Sequence, residues 1–263
     1  MAANNGILLV GAGNLATSLG LALAAAGTPL VAVWSRTLKA AEELGAKVGC
    51  PAFCNINELP AARVVIISVA DDAIEDVARA VVERFPNALV AHTAGSVPVD
   101  VLKRAGAANY GVFYPMQTFT KQRAADFTKL TIFVEGSDEE SLRSLETLAL
   151  QLTANVKKAT SEQRKYLHIA AVFACNFANA AYCMAAELLE ANGLPFEAML
   201  PLIDETAEKV HKIAPVDAQT GPARRGDKVV TNSHLSMLDG RLKEIYALVS
   251  DYIAVTAKKN ENK

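Results

Sequence analysis

Six residues, Gly11-Ala12-Gly13-Asn14-Leu15-Ala16, constrain this chain more than any other stretch. They follow a short apolar run, Ile7–Val10, and open a helix-patterned segment, Leu15–Ala26, which Gly27 closes before a second apolar run, Leu30–Trp34. A GxGxxA string alone is common, but at the first turn of a βαβ unit it is the fingerprint of a dinucleotide site. Each position has a physical task. Gly11 permits the tight turn, Gly13 lets a pyrophosphate approach the backbone, and Ala16 keeps the helix close to the strand. The N–H groups at the helix start, around Asn14 and Leu15, offer donors and a partial positive charge to an anion.

The alternation continues. Helix patterns cover Leu38–Lys47, Asp72–Phe85, the neighbourhood of Val99–Ala105 and Glu139 to about Leu152. Strand-like runs fall at Val64–Val69, Leu89–His92, Tyr110–Tyr114, Thr131–Glu135 and Val156. This rhythm predicts an α/β fold, a Rossmann-like doubly wound parallel sheet with helices on both faces. After about Thr160 the strand signals stop. A helix from Ser161 to near Gly193 is expected, then one from Pro195 to about Ile213. A loop over Ala214–Gly226, helices near Asp227–Leu238 and Arg241–Val255 and a frayed tail from Lys258 complete an all-helical C-terminal domain. The shift divides the chain into residues 1–158 and 159–263.

Hydrophobic residues make up 51% of the 263 and charged residues 21%, enough apolar mass for folded cores. With 26 basic against 28 acidic side chains, the net charge of −2 offers no field for a polyanion, and nucleic acid is not an expected partner. Cys50, Cys54, Cys175 and Cys183 lack the spacing of a disulfide framework or a metal site. They read as reduced, mostly buried thiols of a cytoplasmic protein, and the N-terminus lacks the basic start of an export signal. The uncharged stretch Ile169–Ala186 reaches the lower length of a membrane span. Eight of its eighteen residues are Ala and two are Asn, which weakens insertion and suits close helix packing, so a buried interface is expected there and not a membrane.

The end of the second strand discriminates between cofactors. NAD-selective sites place an acid there for the ribose hydroxyls, whereas this chain reads Val33-Trp34-Ser35-Arg36-Thr37. Ser35 and Thr37 can donate hydroxyl hydrogen bonds and Arg36 can pair with a 2′-phosphate, so NADP is expected. In an open parallel sheet ligands lie beyond the carboxyl ends of the strands. Val69 and Ala70, leaving one strand-like run, and Thr93, leaving the next, should therefore border the same cofactor. Asp71 or Asp72 is expected to cap the helix that follows.

Lys165, His168, Asn176 and Asn179 share one stripe of the long helix at +3, +11 and +14 from the first. Polar groups buried in so apolar a helix need partners, and reduction of a carbonyl or imine needs a proton donor, a role open to Lys165 or His168. Hydrogen bonding from helix to helix is the alternative. Tyr114, Gln117 and Thr118 end a strand on the ligand side and could line a substrate pocket with Asn176, although Tyr114 could equally be a packed aromatic. Arg225 could hold a substrate carboxylate or phosphate, or pair with Asp227 at a helix start.

Gly11–Ala16, Ser35-Arg36-Thr37, Ser68–Ile74, His92–Ser96, Tyr114–Phe119 and Thr220–Asp227 together resemble a family of bacterial NADP oxidoreductases that join a Rossmann-like domain to a helical domain of unassigned function. The resemblance spans nearly the whole chain. That family is similar in architecture to pyrroline-5-carboxylate reductase and to the 6-phosphogluconate and β-hydroxyacid dehydrogenases, which implies a homodimer through the C-terminal helices and an active site at the interdomain cleft. The Thr- and Gly-rich helix start of pyrroline-5-carboxylate reductase is missing. So is the β-hydroxyacid dehydrogenase Lys with Asn four residues on, because Ile169 stands four after Lys165. The expected function is NADPH-dependent hydride transfer with a small carbonyl or imine compound. A non-catalytic NADP sensor is the alternative, and deazaflavin as the hydride carrier is a weaker third.

Overall fold

The computed structural model describes residues 6–120, 122–123 and 125–261. Its chain forms two compact units, Met1–Cys175 and Asn176–Lys263. In the first, strands β1 (Ile7–Val10), β2 (Leu30–Trp34), β3 (Ala52–Phe53), β4 (Val64–Ile67), β5 (Leu89–His92), β6 (Asn109–Met116), β7 (Thr131–Gly136) and β8 (Val156–Lys158) form one sheet in the order β3-β2-β1-β4-β5-β6-β7-β8. The chain runs outward from β1 through β2 to β3 and then returns to β4 on the other side of β1, so the strand order reverses between β1 and β4.

Alternation along each strand divides the core. Ile7, Leu9, Val33, Ile66 and Phe113 face α1 (Asn14–Ala25), α2 (Leu38–Val48) and a later helix, Glu139–Leu150, while Leu8, Val10, Ile67 and Val90 face α3 (Ile74–Arg84) and α4 (Asp100–Arg104). Each fully buried Leu, Ile or Val contributes on the order of 1.5–3 kcal/mol, so two such layers define which side of every strand is which. Helix α5 is that Glu139–Leu150 segment, and Asp138 caps it by accepting from the backbone N–H of Ser141.

The sheet is not wholly parallel. β7 runs antiparallel to β6, with Val112 opposite Glu135 and Tyr114 opposite Phe133. A parallel neighbour needs a crossover, and between β6 and β7 the described residues hold only one short 3₁₀ turn, Phe127–Lys129. The two-residue β3 is too short to leave a period in the sequence. Neither Asp71 nor Asp72 caps a helix through its side chain, because a 3₁₀ turn, Asp71–Ala73, precedes α3 and Asp71 instead accepts from Ser96 Oγ at 2.5 Å.

Helix α6 (Ser161–Ala171) opens with a capping box in which Thr160 and Gln163 each accept from the other's backbone N–H. Its first turn is fastened to the sheet, which carries the first unit past the 158/159 boundary suggested by composition. The helix widens into a π-helical stretch, Val172–Phe177, and goes on as α7 (Ala178–Ala191). In the second unit follow α8 (Leu200–Val210), α9 (Pro215–Ala218), α10 (Pro222–Arg225), α11 (Lys228–Met237) and α12 (Gly240–Glu261), the last extending into the tail expected to fray. α12 packs on α9, α10 and α11, and His234 on α11 shares a 2.8 Å hydrogen bond with Tyr246 on α12.

Ile169, Phe173 and Phe177 are more than half exposed in the single chain, so a buried interface at this helix is not one formed within the chain. One expectation is corrected. Cys54, Cys175 and Cys183 are exposed and only Cys50 is partly covered, although all four are free thiols.

Candidate functional site

At the reversal of strand order lies a cleft of about 810 Å³. Gly11, Gly13, Asn14 and Leu15 border it from the exit of β1, Ser35 and Arg36 from β2, Val69 and Ala70 from β4, and Thr93 from β5. These are all but one of the residues expected to hold a cofactor. Thr37 does not border it; it precedes α2 with no side-chain bond to that helix.

The two glycines differ. Gly11 sits at φ +129°, and a Cβ there would come within 2.0 Å of the Ser68 carbonyl oxygen. Gly13 has an ordinary extended backbone, and a Cβ on it would meet nothing within 4 Å. A side chain at 13 would fill the cleft itself. Gly13 is also the N-cap of α1, with no side-chain cap and no acid in the first turn, so the helix start keeps its N–H groups for a ligand. A dinucleotide fits this cradle, in which Gly13 and the start of α1 would hold its pyrophosphate. Asn14 Nδ2 donates to the Phe119 carbonyl at 3.1 Å and so ties the fingerprint turn to the segment that leaves β6.

Beyond the β5 side of the cleft lies a buried polar cluster. The register pairs His92 with Val112 and Val112 with Glu135, so His92 and Glu135 flank Val112 on one face, and Tyr114 lies two residues further along β6 on that face. Arg164, wholly buried, comes from the first turn of α6: its Nη1 donates to Glu135 Oε2 and its Nη2 to the Val97 carbonyl at 2.8 Å. Ser161 Oγ accepts from the Val99 N–H at 2.9 Å and donates to Glu135 at 2.9 Å. Burial and then the Arg164 charge hold the His92 imidazole neutral, down to about 4. Its Nδ1 accepts from the Ala94 N–H at 3.2 Å, so the proton sits on Nε2. Burial pushes the Tyr114 phenol up, against the pull of Arg164.

The polar stripe of the long helix lies elsewhere. Lys165 and His168 are exposed, as are Gln117 and Thr118 past the end of β6, where Gln117 Oε1 accepts from the Thr118 N–H. Asn176 and Arg225 belong to the second unit and are exposed, and Asp227 caps α11 by accepting from the Val230 N–H. The residue that sequence reasoning passed over is Arg164. A cation in the first turn of a helix opposes its dipole, and that was the available signal.

Residues 6–92 match the oxidoreductase family with an NAD-binding Rossmann fold, and residues 130–253 match a domain of unknown function, DUF2520. A Bacteroides fragilis protein described as a "putative NADP oxidoreductase" is 47% identical, with 95% of this chain and 98% of that one covered at a TM-score of 0.89. This chain belongs to the same oxidoreductase family as that Bacteroides fragilis protein. Among proteins of curated function none matches this oxidoreductase. Its fold extends to an imine reductase of Streptomyces aurantiacus, 16% identical over 98% of this chain and 100% of that one, with a TM-score of 0.69. It extends also to a pyrroline-5-carboxylate reductase of Coxiella burnetii, 17% identical over 97% and 98%, with a TM-score of 0.63.

Proposed function

We propose that this oxidoreductase is an NADPH-dependent reductase that exchanges a hydride with a small carbonyl or imine compound. The observation that carries the cofactor choice is Arg36, which stands on the cleft wall at the end of β2, where an NAD-selective site has an acid. Its guanidinium is the one basic group among the described lining residues, which also include Asp71, Asp72 and Asp76, so a 2′-phosphate has a single counter-charge to seek. The NADP description of the Bacteroides fragilis relative supports the same choice. The imine reductase and pyrroline-5-carboxylate reductase among the fold relatives favour an imine as much as a carbonyl.

The protein further acts as a homodimer through its long apolar helix, whose exposed Tyr166, Ile169 and Leu188 a second copy would cover. The test of function is NADPH oxidation against a panel of keto acids, aldehydes and cyclic imines, with Arg36→Asp alongside. Turnover is expected on at least one class. Arg36→Asp should weaken NADPH about 10–100-fold, as loss of a charge-assisted bond worth roughly 1.5–3 kcal/mol requires, and leave NADH nearly unchanged. Tight NADPH binding with no turnover across the panel would replace the reductase by a nucleotide sensor.

A further inference from the structure

We propose that the Tyr114 hydroxyl is the proton donor of this site, a reading that rests on the reductase function above. β6 continues four residues past Val112, the partner of the last residue of β5, so Tyr114 flanks the space beyond the carboxyl end of β5. The turn leaving β5 passes Thr93 and Ala94, which border the cleft, and reaches Gly95. A Cβ on Gly95 would lie 2.7 Å from Tyr114 Cζ and 3.0 Å from its hydroxyl oxygen. The phenol tip is thus seated against Gly95, one residue past the cleft lining.

It is also at the reactive end. A dinucleotide held by Gly13 at the exit of β1 and by Arg36 just past β2 would have its nicotinamide end toward β4 and β5. β2 and β5 are three strand spacings apart, about 14 Å. Among the described residues nothing accepts a hydrogen bond from the Tyr114 hydroxyl, so its proton is uncommitted. Burial opposes ionisation of the phenol, the Arg164 charge on α6 favours its anion and Cys175 opposes it, with the balance upward, so the proton stays in place at neutral pH. His92, on the same face, is neutral and wholly buried, and Lys165 and His168 are exposed.

The cofactor, when bound, supplies a hydride to the substrate carbon. Tyr114 breaks its O–H bond and places the proton on the carbonyl oxygen or imine nitrogen, which takes up the π electron pair. The pair left on the phenolate faces Arg164 until water returns a proton. Arg164 is a positioning residue here, and Glu135 holds it.

The experiment uses the whole protein with tyrosine labelled by carbon-13 at Cζ, Tyr114→Phe identifying the resonance. Binding of NADPH, NADP⁺ and 2′-phospho-ADP-ribose is measured first. Because the oxidised nicotinamide is cationic, the Tyr114 titration should move lower by about one pH unit with NADP⁺ and stay in place with NADPH or with the fragment that lacks the ring. Unchanged titration with NADP⁺ bound overturns the assignment and leaves the cofactor reading intact. Failure of all three to bind overturns that reading and this one with it. Tyr114→Phe should keep NADPH affinity within about twofold and lose roughly 10²–10⁴-fold in turnover on any compound the wild type reduces. Retained turnover would equally remove Tyr114 from the mechanism.

Discussion

Arg164 is wholly buried and paired with the Glu135 carboxylate, and this pair joins the first turn of α6 to β7. Taking a guanidinium out of water is costly, and one carboxylate, one carbonyl and the Ser161 hydroxyl offset that cost here. Glu135→Gln should therefore destabilise the fold by about 3–5 kcal/mol, the range for stranding one member of a buried pair. The double variant Glu135→Leu with Arg164→Met should lose less than the two single variants added together. Urea unfolding of wild type, Glu135→Gln, the two single variants of that pair and the double variant measures both. Additive losses would mean that the pair acts as two independent packing residues.

Gly11 and Gly13 separate folding from binding. At Gly11→Ala the Ser68 carbonyl and the positive φ leave no room without a backbone shift, and a loss of about 1–3 kcal/mol in stability is expected. At Gly13→Ala the new methyl group meets open space, so the unfolding temperature should not move. NADPH affinity should fall by at least about tenfold, roughly 1.4 kcal/mol, because the methyl would occupy the place proposed for the pyrophosphate. Thermal unfolding beside NADPH fluorescence titration reads the two effects separately. Unchanged affinity in Gly13→Ala would place the pyrophosphate elsewhere.

The contrast between these glycines and Arg164 explains what the sequence made legible. The βα rhythm, the switch point and the cleft rest on local signals: contiguous apolar runs, one glycine string, and Arg36 where an acid was expected. Strand direction at β7 was not local, because it depends on a missing crossover and not on any pattern within Thr131–Gly136. The buried cluster was less local still. His92, Tyr114, Glu135 and Arg164 come from four elements, and only the register of β5, β6 and β7 brings them together. On a helical wheel Lys165 and His168 were the prominent polar residues, but a wheel shows which residues share a face and not which face meets the sheet.

His92 gives the fold a defined acid limit. Its folded value is about 4 against an ordinary 6.5, so between those values the unfolded chain binds a proton that the folded chain refuses. Stability from this residue is present above pH 6.5, falls as the pH drops toward 4, and levels off below. The full effect is on the order of 3 kcal/mol. Urea midpoints for wild type and His92→Gln across that window provide the check. The variant should show a flatter profile, and parallel profiles would assign the acid loss to other groups.

The long helix Ser161–Ala191 makes the last prediction. Its most apolar window has no residue buried within the chain, with Ile169 54% and Tyr166 69% exposed. Apolar surface on that scale is covered in a stable protein, either by a second copy or by lipid. Covering by a second copy ties stability to concentration, since anything that binds only the folded state raises the unfolding midpoint by mass action. Wild type should sediment as a dimer with a midpoint that rises on concentration, and Ile169→Glu should sediment as a monomer whose midpoint does not. Flotation with lipid vesicles by a wild type that stays monomeric in solution would assign the helix to a membrane instead. The Ala-rich composition of Ile169–Ala186 favours the dimer, because small side chains let two helices approach closely and contribute little to insertion.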